Sequence, residues 1–597
     1  MTTPETAPAP DGRPSGREAM PTRRRLYLVL AIVLAAAFMQ LLDVNIVSIA
    51  IPPIQADLRA TSAELALLVG GYLLTFACAL LVSGRVGDAY GRKRVFLLGM
   101  AGFTIASALC GLAPNATILV LARLGQGLFS GLMFPQVLSV IQIVFPPGQR
   151  GKAFAIYGAT LGAASILGPL LGGALIGADL FGTGWRMVFL VNLPVGLAAL
   201  VLGIRFLPES RADGAQRVDV AGAALVTVGL LLLVLPLTIG RDAGWPVWCH
   251  LMLGTGLAVL AVLAAHLRRP SPRHRRNPVP PLIPWSLFGQ RSFTVGLLLN
   301  FAFFFAVPPF FFYFIIYLET GAGLSPIHAG LTTLPIAVVS VIVSGGTEAL
   351  GRRLGRGAPA VGCALMALGM AALVVTLRHA EERPRFWTFL PALIPVGLGL
   401  GVFVPVIVSV VLAGVRSEDA GAASGALATM QQVGGAIGVA VVGALFFGFL
   451  GANADRASGD ETAGLESALS VSQLPPQAVQ PMVEGFRTCF HDRAAQQDIR
   501  ATPVSCRQAR QLSEQVLASR SEQVRIGVER AMQAADEGAL ARDFTRSAEQ
   551  ATLLEAAVFT LAFLLVLGLP RRAAARPGPV DVDADGGDPR GSVVLGR

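Results

Sequence analysis

Apolar residues recur along the whole chain in blocks of helix length, and this pattern constrains the fold more than any other feature. A helix of about 20 apolar residues crosses the hydrocarbon core of a bilayer. Such blocks lie near 26–51, 64–83, 95–113, 117–144, 153–177, 187–207, 218–240, 248–267, 293–320, 327–348, 358–377, 386–412, 421–450 and 552–570. The chain therefore reads as an all-α polytopic membrane protein with fourteen spans, numbered here 1 to 14. Only 14% of its residues are charged and its mean hydropathy is +0.63, against about a quarter charged in an ordinary soluble domain. Most soluble enzymes are excluded. The prolines inside blocks, such as Pro308 and Pro309, are tolerated in membrane helices because neighbouring helices re-satisfy the freed backbone groups. The first block is too long for a signal-peptide core and no clear cleavage site follows it, so it is expected to remain as span 1.

Charge sets the orientation. With the N-terminus assigned to one side and the connections alternated, that side carries 29 Lys and Arg and the opposite short loops carry 6. By the positive-inside rule both termini are expected in the cytoplasm, in a multi-pass protein of the cell (inner) membrane. The net charge is +10, but the bases cluster between apolar blocks without interleaved aromatics, so the bilayer and not nucleic acid is the expected partner. The six cysteines include no CxxC pair, the six histidines have no ligand spacing, and no Walker A sequence occurs. Hence no metal, no cofactor, no enzymatic activity and no ATP-driven pump is expected.

The polar segments divide the chain further. Residues 1–25 and 571–597 read as disordered cytoplasmic tails, 268–292 as a cytoplasmic linker and 451–550 as a polar extracytoplasmic loop. Within that loop 508–550 is rich in helix formers. Cys489 and Cys506 both lie in it, on the oxidising side, where they pair or remain two free thiols; a bridge is the expectation.

Ionisable residues inside apolar blocks are the functional candidates, because burying a charge in a bilayer is costly. Asp43 lies 17 residues into span 1. At 1.5 Å per residue it sits about 12 Å below the outer end, and Arg123 of the inward-running span 4 about 9 Å below the same face. Their shared depth predicts a pair, serving either as a static tie between helices or as a proton-coupling site. Gln126 falls one turn from Arg123 on the same face. The connection Gly84-Arg85-Val86-Gly87-Asp88-Ala89-Tyr90-Gly91-Arg92-Lys93-Arg94 combines turning glycines with one acid among four bases. Span 5 carries Gly162, Gly168, Pro169, Gly172 and Gly173, small residues that permit close helix approach around a proline bend. Glu319, at the outer end of span 9, reads first as an interfacial acid touching water. The aromatic residues of that span, including Phe303, Phe310 and Tyr313, would line an apolar pocket or face lipid.

Together these four features, the span 1 acid, the span 4 arginine, the 84–94 connection and the span 5 glycines, resemble motifs of the major facilitator superfamily. The resemblance narrows to its fourteen-helix drug:proton antiporter branch, the EmrB/QacA group, whose first span carries Leu-Asp-x-Thr-x-x-Asn-x-Ala-x-Pro. Here it reads Leu42-Asp43-Val44-Asn45-Ile46-Val47-Ser48-Ile49-Ala50-Ile51-Pro52, with Asn45 and Ser48 as departures. Further echoes are Trp185 to Gly196, Gly323 to Leu331, Gly421 to Gly425 and Gln432 to Gly438. The resemblance implies two six-helix halves, 26–207 and 293–450 with 551–570, plus an inserted helix pair at 218–267. It also implies a conformational switch at Gly84, Asp88, Gly91 and Arg92, and an antiporter motif at Gly162, Gly168, Pro169, Gly172 and Gly173. In the second half the switch is degenerate around Gly351 to Gly357, its acid displaced to Glu348.

The expected function is thus proton-coupled export of hydrophobic or amphipathic drugs or antibiotics by alternating access. Asp43, Arg123, Gln126, Asn45 and Glu319 are the candidate proton-coupling and substrate-pathway residues, and the 451–550 loop the candidate contact for an envelope partner. Two rivals are an exporter of an endogenous lipid or secondary metabolite, and a non-transporting receptor or scaffold presenting 451–550.

Overall fold

The computed structural model describes residues 23–566 and Gly568, apart from 211–218, 241–242, 269–282, 355–356, 380–383, 413–414, 416–419, 473, 496–501 and 519. The expected tails and most of the 268–292 linker lie outside the described residues, as do the side chains of Asp88 and Glu348. Fourteen helices are long and apolar enough to cross a membrane, and they match the fourteen blocks one for one. Helix is the physical answer to the blocks: within hydrocarbon, every backbone N–H and C=O must find its partner inside the segment.

Spans 1 to 6 pack together, span 4 against spans 2 and 3, span 1 against spans 5 and 6; spans 9 to 14 form a second bundle, span 9 against span 13 and span 11 against spans 12 and 14. The two bundles meet along two seams, span 5 with span 10 and span 2 with span 13. Exchanging the halves turns one seam into the other, as a pseudo-twofold axis requires. Spans 7 and 8 pair with each other, and span 7 docks on spans 2 and 13.

Two regions depart from the sequence reading. The 84–94 connection is not an open loop: the span 2 helix runs to Tyr90 and that of span 3 starts at Arg92, so one residue makes the turn. That residue is Gly91 at φ 105°, a backbone region that side-chain-bearing residues avoid. The described part of 451–550 is helical, as the helix formers of 508–550 imply, but it is not a loop separate from the spans. Span 13 continues to Asp460 as one helix, Ala420–Asp460, and span 14 begins far outside its apolar block as Glu522–Val566. At 1.5 Å per residue these reach about 60 and 70 Å, twice the hydrocarbon thickness. Between them stand helices Thr462–Val471, Pro476–Ala495 and Val504–Leu517. All five share a core of their own, in which Leu465, Leu469, Phe486, Phe490, Leu517 and Val528 are buried. Cys489 and Cys506 are joined by a disulfide between the second and third of these helices. The structure therefore has a small helical domain at one end of the bundle, the distal end.

Candidate functional site

Asp43 and Arg123 meet in the interior of the first half, with Arg123 Nη1 donating to Asp43 Oδ2 at 2.5 Å. The exposures of Asp43, Arg123 and Gln126 are 0%, 1% and 0%, so the pair is cut off from solvent. A buried ion pair is tolerable only where further donors and acceptors serve it, and both oxygens of Asp43 are served here, as are Nε and Nη1 of Arg123. Asp43 Oδ1 accepts from Gln126 Nε2 at 2.9 Å and from Asn192 Nδ2 at 3.2 Å. Arg123 Nη1 also donates to Gln126 Oε1 at 2.7 Å, and its Nε to the Leu68 carbonyl at 3.2 Å. That carbonyl sits in a π-helical turn, Leu67–Gly71, at the start of span 2. The guanidinium lies 4.2 Å from the centre of the Tyr72 ring, an attraction between cation and ring face. Ser107 Oγ closes the ring of contacts, accepting from Gln126 and Asn192 at 3.3 and 3.1 Å and donating to the Phe189 carbonyl.

Spans 1, 2, 3, 4 and 6 thus all contribute to one buried polar cluster. Three of its members, Asp43, Arg123 and Gln126, were candidates from sequence. Asn192, Ser107, Tyr72 and the Leu68 carbonyl were not. Asn192 had a readable signal, an amide inside an apolar block, whereas a carbonyl released by a π turn leaves no mark in the sequence.

Asn45 is not part of the cluster. Its Nδ2 donates to the Leu41 carbonyl of its own helix at 2.7 Å, and its Cβ faces Gly168 across the span 1–span 5 contact, where a Cβ on the glycine would come within 2.6 Å. Glu319 lies in the other half, in a second π-helical turn, Tyr317–Gly321. Its side chain is half-buried, with Oε1 buried and without a hydrogen-bond partner. Nor do the buried aromatics of span 9 face lipid or a pocket. Phe303 stacks on Phe403 of span 12 at 3.7 Å and Tyr313 packs on Phe446 of span 13, so they form the core of the second half.

Gly162 and Gly173 of span 5 face span 10 on the seam between halves, whereas Gly168 and Gly172 face Asn45 and Ile46 of span 1. A Cβ on Gly173 would come within 2.7 Å of Ile327 Cα on span 10, and one on Gly330 within 2.7 Å of the Pro169 carbonyl. Backbone meets backbone there, so the two halves can separate or close without unlocking interdigitated side chains. At the proximal end, Gly84 is exposed and Gly91 sits against the Glu209 carboxylate. Glu209 Oε1 accepts from Lys93 N at 3.2 Å, while the Arg92 N–H donates to the Ser210 carbonyl at 3.0 Å. The turn between spans 2 and 3 is thereby tied to the end of span 6. Among the described residues no group of three metal-ligating side chains comes together.

The Major Facilitator Superfamily family matches residues 33–439. The chain is 38% identical over 511 residues to the "Probable actinorhodin transporter" of Streptomyces coelicolor, covering 85% of this chain and 87% of that one. It is 32% identical over 483 residues to the "Tetracenomycin C resistance and export protein" of Streptomyces glaucescens, covering 78% and 87%. Among solved structures, an inward-facing and unoccupied bacterial homologue of the human lysosomal transporter Spinster aligns with a TM-score of 0.56 at 17% identity, covering 92% of this chain and 98% of that one.

Proposed function

This chain belongs to the major facilitator superfamily, and from that premise we propose that it exports amphipathic antibiotics across the cell membrane in exchange for protons, with both termini in the cytoplasm. The observation that carries the reading is the Asp43–Arg123 pair, buried and held by hydrogen bonds among five helices of one half. A carboxylate so placed has two states of nearly equal geometry, one paired with Arg123 and one protonated, and helices that move relative to each other select between them. The seam at Gly173 and Gly330 supplies a surface along which such movement can occur. The substrate class rests on the relatives named for actinorhodin and tetracenomycin C.

A proton crossing about 150 mV releases about 3.5 kcal/mol, enough for a gradient of a few hundredfold. Export of an endogenous secondary metabolite is the same mechanism with a different cargo, and the 38% identity to the "Probable actinorhodin transporter" favours it. The extracytoplasmic domain offers a contact surface for an envelope partner. The test is reconstitution in liposomes with an imposed pH gradient and tetracenomycin C as the probe. Accumulation against the probe's gradient, collapsing with a protonophore, supports the reading; uptake indifferent to the pH gradient overturns it.

A further inference from the structure

The second half holds a buried acid of its own, outside the site described above. Glu555 of span 14 is 0% exposed. Its Oε2 lies 3.1 Å from Tyr313 Oη on span 9, and the same phenol oxygen lies 2.9 Å from Thr552 Oγ1. Thr552 in turn donates to the Ala548 carbonyl at 2.7 Å. These are three contacts, and the phenol and the threonine hydroxyl own one proton each. With the phenol donating to an ionised Glu555 the phenol–threonine contact lacks a hydrogen, and a proton on the carboxyl group would supply it. With Glu555 protonated, the chain runs from carboxyl to phenol to threonine to carbonyl and every contact has its hydrogen. The other oxygen, Oε1, is buried with no hydrogen-bond partner.

Among the described residues no ion pair reaches Glu555. Three arginines of the surrounding helices are paired with other acids: Arg378 with Glu549 at 2.7 Å, Arg546 with Asp460 at 2.5 Å and Arg542 with Glu461 at 2.9 Å. On the packed helices the further titratable or charged groups are Arg291, Tyr317 and Glu319 of span 9, and Cys363 and His379 of span 11. Span 13 adds Asp455, held by His491 at 2.9 Å, and Arg456, and the helix Thr462–Val471 adds Glu466.

A polar ridge leads away from the acid toward the distal domain. Asp543 and Ser547 lie at i and i+4 on one face of the span 14 helix, and Glu555 follows about 12 Å beyond Ser547, turned about 80° around the axis; all three are buried. Asp543 is hydrogen-bonded to Ser547 and keeps an unpartnered buried oxygen, Oδ1. Ser547 also accepts from Asn453 of span 13 at 3.2 Å. Beyond this ridge a cavity of 770 Å³ opens between the end of span 9, the helix Thr462–Val471 and the distal part of span 14.

We propose that Glu555, hydrogen-bonded to Tyr313, is a second proton-exchange site, reached along this ridge from the distal domain, so that a transport cycle moves a proton through Glu555 as well as through Asp43. The inference rests on proton coupling as read above. The step is a simple transfer: the carboxyl O–H bond breaks to water entering along the ridge, and the carboxylate regains a proton by the reverse path. Tyr313 stays neutral throughout.

The test uses the full chain in proteoliposomes with tetracenomycin C as the probe. Infrared spectra at neutral pH are expected to contain a protonated-carboxyl carbonyl band in the wild type and in Asp43→Asn, and to lack it in Glu555→Gln. Tyr313→Phe keeps the acid but removes its acceptor, and is expected to move that band to higher frequency. Reversal-potential measurements are expected to give one proton fewer per probe molecule in Glu555→Gln than in the wild type. An unaltered band in Glu555→Gln, or a lost band with an unaltered proton-to-probe ratio, overturns the proposal while leaving Asp43 coupling intact. A wild type that moves no protons at all overturns the coupled reading itself and this site with it.

Discussion

The two halves bury carboxylates in opposite ways. In the first half Asp43 is balanced by a cation, Arg123, and by the amides of Gln126 and Asn192. In the second, Glu555 meets the hydroxyl group of Tyr313, which in turn reaches Thr552, and in the proposal above it is balanced by its own proton. The difference teaches that burying an acid requires cancelling its charge, and that the choice of counter-charge decides what can follow. A carboxylate beside a permanent cation can pass between a paired and a protonated state, whereas a hydroxyl chain holds a carboxylic acid ready to release its proton.

The sharpest way to break this contrast is Asp43→Asn. The amide keeps the shape and removes the titration, while Arg123 retains the Leu68 carbonyl, Gln126 and the Tyr72 ring. Proton-driven efflux is expected to vanish with the protein still folded; wild-type rates in energised cells would contradict this. Arg123→Leu attacks the cation instead. Removing one partner of a buried pair costs about 3–5 kcal/mol, so thermal unfolding in detergent should fall well below that of the wild type. An equal loss in Glu555→Gln would erase the distinction between the halves.

How far these features were legible depended on whether charge stood against an apolar background. Asp43 and Arg123 sit deep within apolar blocks, so depth alone brought them together. Glu555 lies only a few residues inside its block, beside a long polar segment, and was not among the candidates from sequence; the helix that carries it deep into the protein starts 30 residues before that block, at Glu522. Helix formers and the paired cysteines marked the distal segment, but not the packed core it forms. Val479, Met482, Val483, Phe486 and Phe490 do recur on one helical face and are buried, but in a polar, alanine-rich segment they were too sparse to announce a core. The fourteen spans were plain because twenty apolar residues in sequence have few other uses. The π turn that offers the Leu68 carbonyl to Arg123 depends on packing and could not be read at all.

Two smaller perturbations sharpen the comparison. Cys489→Ser with Cys506→Ser removes the staple of the distal domain, expected to cost about 3 kcal/mol in the chain-entropy account of a loop this size. The loss should be local: proteolysis within 476–517 should rise while the membrane bundle melts unchanged, and a fall in bundle stability would show the two regions to be one cooperative unit. Asn192→Ala removes one of the two amides on Asp43 Oδ1, worth about 1–3 kcal/mol for a bond to a charged group. Gln126 still serves that oxygen, so efflux should slow without being lost, and its pH profile should shift.

The account's central claim is that Asp43 exchanges a proton when substrate binds. The direct measurement is proton release from purified protein in weakly buffered solution, followed with a pH-sensitive dye as tetracenomycin C is added. Wild-type protein is expected to release protons in proportion to probe bound, and Asp43→Asn to bind the probe while releasing fewer. Equal release from the two proteins would contradict the claim and leave the Asp43–Arg123 pair a static tie between helices.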